Sequence, residues 1–372
     1  MIPRHILDKI EQDNFLFSTC ERNDFFVPDY DPLNHYLDLT KNKYFVALLY
    51  LRSHIKLISD YYFGILIEAR NIDLFMLTPS VSSPVGPGSD SQAIPIKLGE
   101  ISSYLVDSSQ FGFEPLLLND FDKVYCYMPS MRGEDCDKRH LNQFFHCEME
   151  MRGELGEVKR ITEGYIKIMC EVLLCIPDII RLISTNYLKT REVLERVVQT
   201  KKFKEISFDA AVKVLEDHGK ASLINYADHG RDISADGEME LFKCLGSDMP
   251  FWINDFDRDR VPFYQRPSKD NKDKTINADF LFPPLQEGSF GGEVAGSGQR
   301  QDDASEMYQS LKRQGINAEP YEWYINLRRQ KNYNISSGFG LGIERFISWA
   351  LGFDDIKKAI IYPRLKNKIT YP

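Results

Sequence analysis

The run Gly338-Phe339-Gly340-Leu341-Gly342 sets glycine at every second position, and Arg345 follows three residues later. On an extended strand alternate residues share a face, so the glycines leave one face bare while Phe339 and Leu341 point to the other. A bare strand face lets a flat ligand or another backbone come close. Arg345 could then offer a delocalised cation to an aromatic base or a phosphate. The spacing differs from GxGxxG, so a dinucleotide fold is not indicated. A packed structural strand beside a structural arginine would read the same.

Two further groups could do chemistry. Arg132, Glu134, Arg139 and His140 precede Phe144. Arginine on a strand suits bidentate capture of phosphate or carboxylate, a loop Arg and His can close over a polyphosphate, and Phe144 offers a stacking surface. Asp279 and Glu293, the latter in Gly292-Glu293-Val294-Ala295-Gly296-Ser297-Gly298-Gln299-Arg300, are carboxylates that could hold magnesium if brought near a triphosphate. Taken singly, each of these charges fits a solvated face just as well.

Residues 43–70 carry apolar side chains mostly at three- and four-residue steps, which predicts a long helix. Asp73 to Pro79 reads as a short strand ended by proline. The Gly/Ser/Pro cluster from Ser82 to Ser91 reads as a loop or lid. Val124–Met128 and Phe144–Met151 predict an antiparallel hairpin with a long polar loop that holds the Arg132 group. Residues 152–220 are helical in pattern and the wider 152–250 segment reads as support. Residues 251–345 return to strand-like runs and 343–351 to a final helix. No internal repeat is visible, and 288–298 is the only low-complexity stretch.

With 43% hydrophobic and 27% charged residues over 372 positions, the composition is that of an ordinary globular enzyme. A net charge of -9 argues against holding nucleic acid by general attraction. Seven scattered cysteines without a CxxC pair read as reduced thiols. The chain opens without an apolar leader, and no apolar run approaches the ~18 residues of a membrane span. A cytoplasmic protein without membrane contact is expected.

The three groups, in this order, resemble motifs 2 and 3 of class II aminoacyl-tRNA synthetases and the acidic strand between them. Within that class the resemblance is closest to asparaginyl-tRNA synthetase, through Arg139-His140-Leu141, Glu148-Met149-Glu150-Met151, Phe263-Tyr264, Gln299-Arg300, Tyr321 to Arg328 and Gly338 to Arg345. Pro79 stands where motif 1 carries its proline. The resemblance implies an α+β fold, an antiparallel sheet flanked by helices, over 43–372 behind an N-terminal extension of 1–42. It implies a homodimer that uses ATP and magnesium. Arg132 and Arg345 would be the catalytic pair. Arg132 would grip the α-phosphate, Glu134 would contact the adenine side, and Arg139 and His140 would approach the distal phosphates. Phe144 and Arg345 would sandwich the adenine, with Gly342 beside it. Glu293 and Asp279 would bind the metal, and Gln110, Glu148, Arg328 and Gly338 would line the amino-acid pocket.

Departures from the family shape the functional expectation. About 42 residues precede the motif 1 helix and show no run of strands, so no anticodon-binding barrel is expected. Ser83-Pro84-Val85-Gly86 replaces the family's Ser-Glu-Gly. Phe113 stands where aspartyl enzymes place a lysine, Glu287 could substitute for Glu293, and Ser336-Ser337 replace His-Gly. The expected activity is adenylation of an asparagine- or aspartate-like carboxylate followed by transfer to ammonia or another amine. Charging of tRNA through its acceptor stem alone is the alternative, and an inactive regulatory paralogue the second.

Overall fold

The computed structural model describes residues 2–83 and 91–371; Pro84 to Asp90, most of the expected loop or lid, lie outside them. An eight-stranded sheet forms the frame. Its strands are β1 (Arg70–Asn71), β2 (Lys123–Met131), β3 (Gln143–Arg152), β4 (Lys204–Ser207), β5 (Phe251–Asn254), β6 (Asn277–Phe282), β7 (Gly292–Gln299) and β8 (Ser336–Gly342). They lie in the order β1-β2-β3-β8-β7-β6-β5-β4. Neighbours run antiparallel except at the two edges, where β1 on β2 and β4 on β5 are parallel. The arrangement is the α+β class expected from the sequence.

Helix α1 (Lys43–Tyr61) starts where the Asn42 side chain accepts from the Tyr44 N–H, satisfying one of the donors that a helix start leaves open. Tyr44, Phe45, Leu48, Leu51, Ile55 and Ile58 form its buried stripe. The expected helix to residue 70 ends earlier: a π-turn covers Tyr62–Leu66, and Glu68 takes a left-handed φ of 58° before β1 begins. Of the expected strand 73–79 only Leu77–Thr78 pairs, in a small sheet with Ile101–Leu105 and Pro95–Leu98. Leu74 and Phe75 instead pack against Gly112 of helix α2 (Gln110–Leu117), whose missing Cβ leaves the room they occupy.

The hairpin is as expected, with Cys126 opposite Glu148 and Met131 opposite Gln143. Helix α3 (Leu155–Leu174) covers one sheet face, where Phe339 approaches Tyr165 and Phe63. Phe339 and Leu341 are 3% and 0% exposed, each worth about 1.5–3 kcal/mol of burial. The segment read as helical support contributes more than helices. It supplies β4, a hairpin of Ile224–Ala227 with Gly230–Ile233, and helix α4 (Ala235–Cys244). The strand-like region 251–345 is likewise broken by helices Ala304–Arg313 and Glu322–Asn326. Helix α5 (Ile343–Leu351) matches the expected last helix. The N-terminal extension folds onto the body: Asn14 donates to Asp178 at 2.8 Å, and His35 meets the Ile361 carbonyl at 2.6 Å.

Candidate active site

Strand β8 lies between β3 and β7, with Gly340 paired to Glu148 on one side and to Gly296 on the other. Since Phe339 and Leu341 are taken by the core, the glycine face is left as a floor. Two adjoining cavities open over it, of about 100 Å³ and 290 Å³, and both are lined by Arg132, His146, Glu293 and Gly340. They form one cleft with two ends.

The smaller cavity is lined by Glu134, Phe144, Gly342 and Arg345 as well. The Arg132 guanidinium stands over the Phe144 ring at 5.3 Å, and its Nε is buried without a hydrogen-bond partner. Among the described residues no carboxylate pairs with it, which leaves a cation free for a ligand anion. Glu134 accepts from the Gln92 N–H at 3.2 Å. Arg345 donates to Glu293 Oε2 at 2.8 Å and to its carbonyl at 3.2 Å. Arg139 and His140 line this end but are turned to protein partners. Arg139 meets Glu238 at 3.2 Å and the Gly291 carbonyl at 2.7 Å, while His140 pairs with Asp137 at 2.9 Å.

The larger cavity is lined by Ser108, Gln110, Glu148, Tyr264, Asp279 and Arg300. Glu148 accepts from Ser108 Oγ at 2.6 Å and from the Ser109 N–H at 2.7 Å, yet burial still pushes its carboxyl above the ordinary range. Arg300 forks onto Glu150 at 2.8 and 2.9 Å, and Gln110 reaches the same carboxylate at 3.5 Å. Arg328 and Gly338 are not on the lining. Arg328 is wholly buried and bound to Glu114 at 2.7 Å, to the Gln301 carbonyl at 2.8 Å and to Tyr324 OH at 3.1 Å. At Gly338 a side chain would run into the Glu150–Arg300 pair, so this glycine makes room for the pair and not for a ligand. Phe113 belongs to a packed cluster with Leu117, Val124 and Cys126.

Residues 29–366 match the family model described as tRNA synthetases class II (D, K and N). The chain belongs to this family. It is 32% identical over 273 residues to the asparagine–tRNA ligase of Thermococcus kodakarensis, covering 73% of this chain and 59% of that one. To the asparagine–tRNA ligase of Thermococcus gammatolerans it is 29% identical, covering 74% and 60%. The chain thus spans about three-fifths of the length of the curated relatives it matches. The asparaginyl-tRNA synthetase from Pyrococcus horikoshii, solved with asparaginyl-adenylate, superposes with a TM-score of 0.80 at 24% identity, over 94% of this chain and 76% of that one. At that identity the superposition shows the class II synthetase fold.

The magnesium that the class II family implies finds two carboxylates. A Cβ on Gly296 would stand 3.1 Å from Glu293 Oε1 and 3.3 Å from Asp279 Oδ1, so this glycine keeps open the space on which both converge. Two carboxylates, with phosphate oxygens completing the set, suit this ion. Their protonation differs. Burial would raise Glu293, but Arg345, Arg132 and Arg139 hold it below the usual range, whereas burial together with Glu293 and Glu238 pushes Asp279 well above it. Glu287, the expected substitute, is exposed in the 286–289 loop and lines neither cavity.

Sequence reasoning missed several residues that line this cleft or brace the side chains around it. Glu238, on α4, accepts from the Glu293 N–H at 3.1 Å and from Arg139; its local signal was only that of an acid in a helix's first turn. His146, whose Nδ1 lies 3.0 Å from Ser130 Oγ and 3.5 Å from Glu148, is held neutral, its pKa lowered to about 3 by burial and then by Arg132 and Arg345. Glu114, one turn along α2 from Gln110, could have been suspected only from that spacing.

Proposed function

We propose that this protein activates asparagine with ATP as asparaginyl-adenylate and transfers the acyl group to tRNA. The observation that carries the reading is Arg132, a guanidinium with no carboxylate partner among the described residues, on the wall that both ends of the cleft share, where the other arginines are matched by carboxylates. The substrate carboxylate oxygen would attack the α-phosphorus, the bond to the bridging oxygen would break, and pyrophosphate would leave. Arg132 would neutralise charge on the α-phosphate while Phe144 and Arg345 hold the base, so catalysis would rest on positioning and electrostatics. Magnesium, held by Glu293 and Asp279, would neutralise charge on the phosphate oxygens. In the second step a ribose hydroxyl of the acceptor would attack the acyl carbon and AMP would leave.

The asparagine–tRNA ligases named above favour tRNA over the ammonia or amine acceptor read from the sequence. Asparagine rather than aspartate is supported by the curated relatives named above, which are asparagine–tRNA ligases. The convergence of Arg132, Glu134, Glu293 and Arg345 on one cleft supports an active enzyme over a regulatory paralogue. Homodimerisation is supported by Val46, Leu49 and Ile65, which are 47%, 55% and 65% exposed along α1 and its π-turn. A cytoplasmic location is supported by seven free cysteines; no helix among the described residues is long and apolar enough to cross a membrane.

Pyrophosphate exchange tested with each amino acid, followed by charging of total tRNA, tests the proposal. Exchange with asparagine and a nuclease-sensitive product are expected. Absence of exchange with every amino acid sinks the enzyme reading, and an amide formed from ammonia without tRNA charging would return the acceptor to an amine.

A further inference from the structure

Asn142 stands where the loop between β2 and β3 rejoins β3, and it is 8% exposed. Its side-chain amide donates to the carbonyls of Arg132 at 2.7 Å and Glu134 at 2.8 Å. Its side-chain oxygen accepts from the Lys366 N–H and from the Cys136 thiol. Its own backbone closes the loop: the Arg132 N–H donates to the Asn142 carbonyl at 3.0 Å, and the Asn142 N–H donates to the Arg364 carbonyl at 3.1 Å. One buried amide therefore ties both ligand-facing residues of the loop to residues 364–366, beyond the last helix. That segment is itself anchored. Leu365 packs with Leu141, Ile356 and Ile360, and Lys366 Nζ reaches Asp135 at 3.1 Å.

Most arginines of the cleft are fixed at the guanidinium by a carboxylate, as Arg345, Arg139 and Arg300 are. Among the described residues the Arg132 guanidinium meets the Phe144 ring and no carboxylate, so its position depends on where the backbone puts it. We propose that Asn142 is a positioning residue for Arg132, and that through Asn142 the C-terminal segment 364–366 forms part of the nucleotide-binding apparatus. The role rests on the ATP site proposed above. It requires an amide, because only that group offers two donors and an acceptor at once.

Asn142→Asp keeps the shape and the acceptor but sets lone pairs against the two carbonyls. In calorimetry with ATP and magnesium, the variant should bind about tenfold more weakly, since an ångström-scale misplacement of a clamping residue is costly. In the Arg132→Ala background the same change should cost less than about threefold, because a residue acting through Arg132 loses its effect when Arg132 is gone. Equal losses in both backgrounds overturn the positioning role, as does unchanged ATP affinity with a lower melting temperature. A second arm needs no nucleotide. Amide exchange across 132–141 should rise in Asn142→Asp and in Leu365→Ala while that of α5 stays as it was. If exchange across 132–141 is unchanged in Asn142→Asp the role falls, and if it is unchanged in Leu365→Ala the C-terminal link falls. A wild-type protein that does not bind ATP would instead remove the enzyme reading, leaving this arm to decide Asn142.

Discussion

The two ends of the cleft share one floor but treat charge differently. At the larger end, proposed for the amino acid, Arg300 is matched by buried Glu150, and behind the wall Arg328 is matched by buried Glu114. At the smaller end, proposed for the nucleotide, Arg345 and Arg139 are matched too, but Arg132, on the wall shared by both cavities, meets no carboxylate among the described residues. Stability and function are therefore divided along the cleft: a buried pair is strained by loss of either partner, whereas an unpartnered cation at a cavity wall contributes to binding and little to folding.

That division is broken first by the matched end. Glu114→Ala leaves Arg328 charged, fully buried and unpaired, and should cost about 3–5 kcal/mol of unfolding free energy, measured by urea titration. A variant as stable as the wild type would mean that the pair is open to water. Arg132→Ala should do the reverse. Its urea midpoint should move by no more than about 0.5 kcal/mol equivalent, while pyrophosphate exchange falls about 10²–10³-fold, the scale for removing one preorganised donor. Unfolding of Arg132→Ala, or full exchange activity, would erase the contrast. Gly338→Ala comes next. Its methyl would stand 2.8 Å from Arg300 Nη2 and 2.5 Å from the Met149 carbonyl, and such overpacking costs about 1–3 kcal/mol.

At the join of the two ends sits His146, which sharpens the comparison through pH. Its folded pKa of about 3 lies below the ordinary 6.5, so the unfolded chain binds the extra proton between those values. Stability from this residue is complete above pH 6.5 and is lost as pH falls toward 3, by about 1.4 kcal/mol at pH 5.5. His146→Gln should remove that slope in unfolding curves taken from pH 8 to 5. An unchanged slope would show that the imidazole is hydrated in the folded state.

More of the smaller end could be read from the sequence than of the larger, where Gln110 and Glu148 were singled out and the buried pairs behind them were not, for a physical reason. Arg132, Glu134 and Phe144 lie within one hairpin, and Gly340, Gly342 and Arg345 within one strand and the turn after it, so local spacing carries the geometry. Glu114 meets Arg328 across 214 positions, and Glu150 meets Arg300 across 150; no periodicity reports such a pairing. Hence Arg328 was expected on the pocket wall and lies behind it, held by a partner that the sequence did not single out. The fold shows the same limit. Helix α1, the β2–β3 hairpin and α5 were legible from their apolar repeats. Strand β4, four residues with two charges among them, is made a strand by its neighbour β5, as tertiary context overrides weak local preference. Arg139, legible as a charge in a motif, is directed by Glu238 from a segment read as support.

The smallest effect is the most discriminating, because it uses the same substitution two residues along the same strand. At Gly340 a methyl would meet Glu148 Oε1 at 3.2 Å and Cγ at 3.6 Å. The carboxylate can give only a few tenths of an ångström, being held by Ser108 and Ser109. Against that stands the gain of about 0.4–1 kcal/mol from restricting the unfolded chain. Gly340→Ala should therefore stay within about 1 kcal/mol of the wild type in stability, unlike Gly338→Ala. Its consequence should fall on the ligand: the methyl rises from the floor where the two cavities meet, so KM for ATP in pyrophosphate exchange should increase severalfold while the urea midpoint holds. If Gly340→Ala instead loses as much stability as Gly338→Ala, the bare face is packing space at both positions, and the cleft floor is not the free surface that a nucleotide would need.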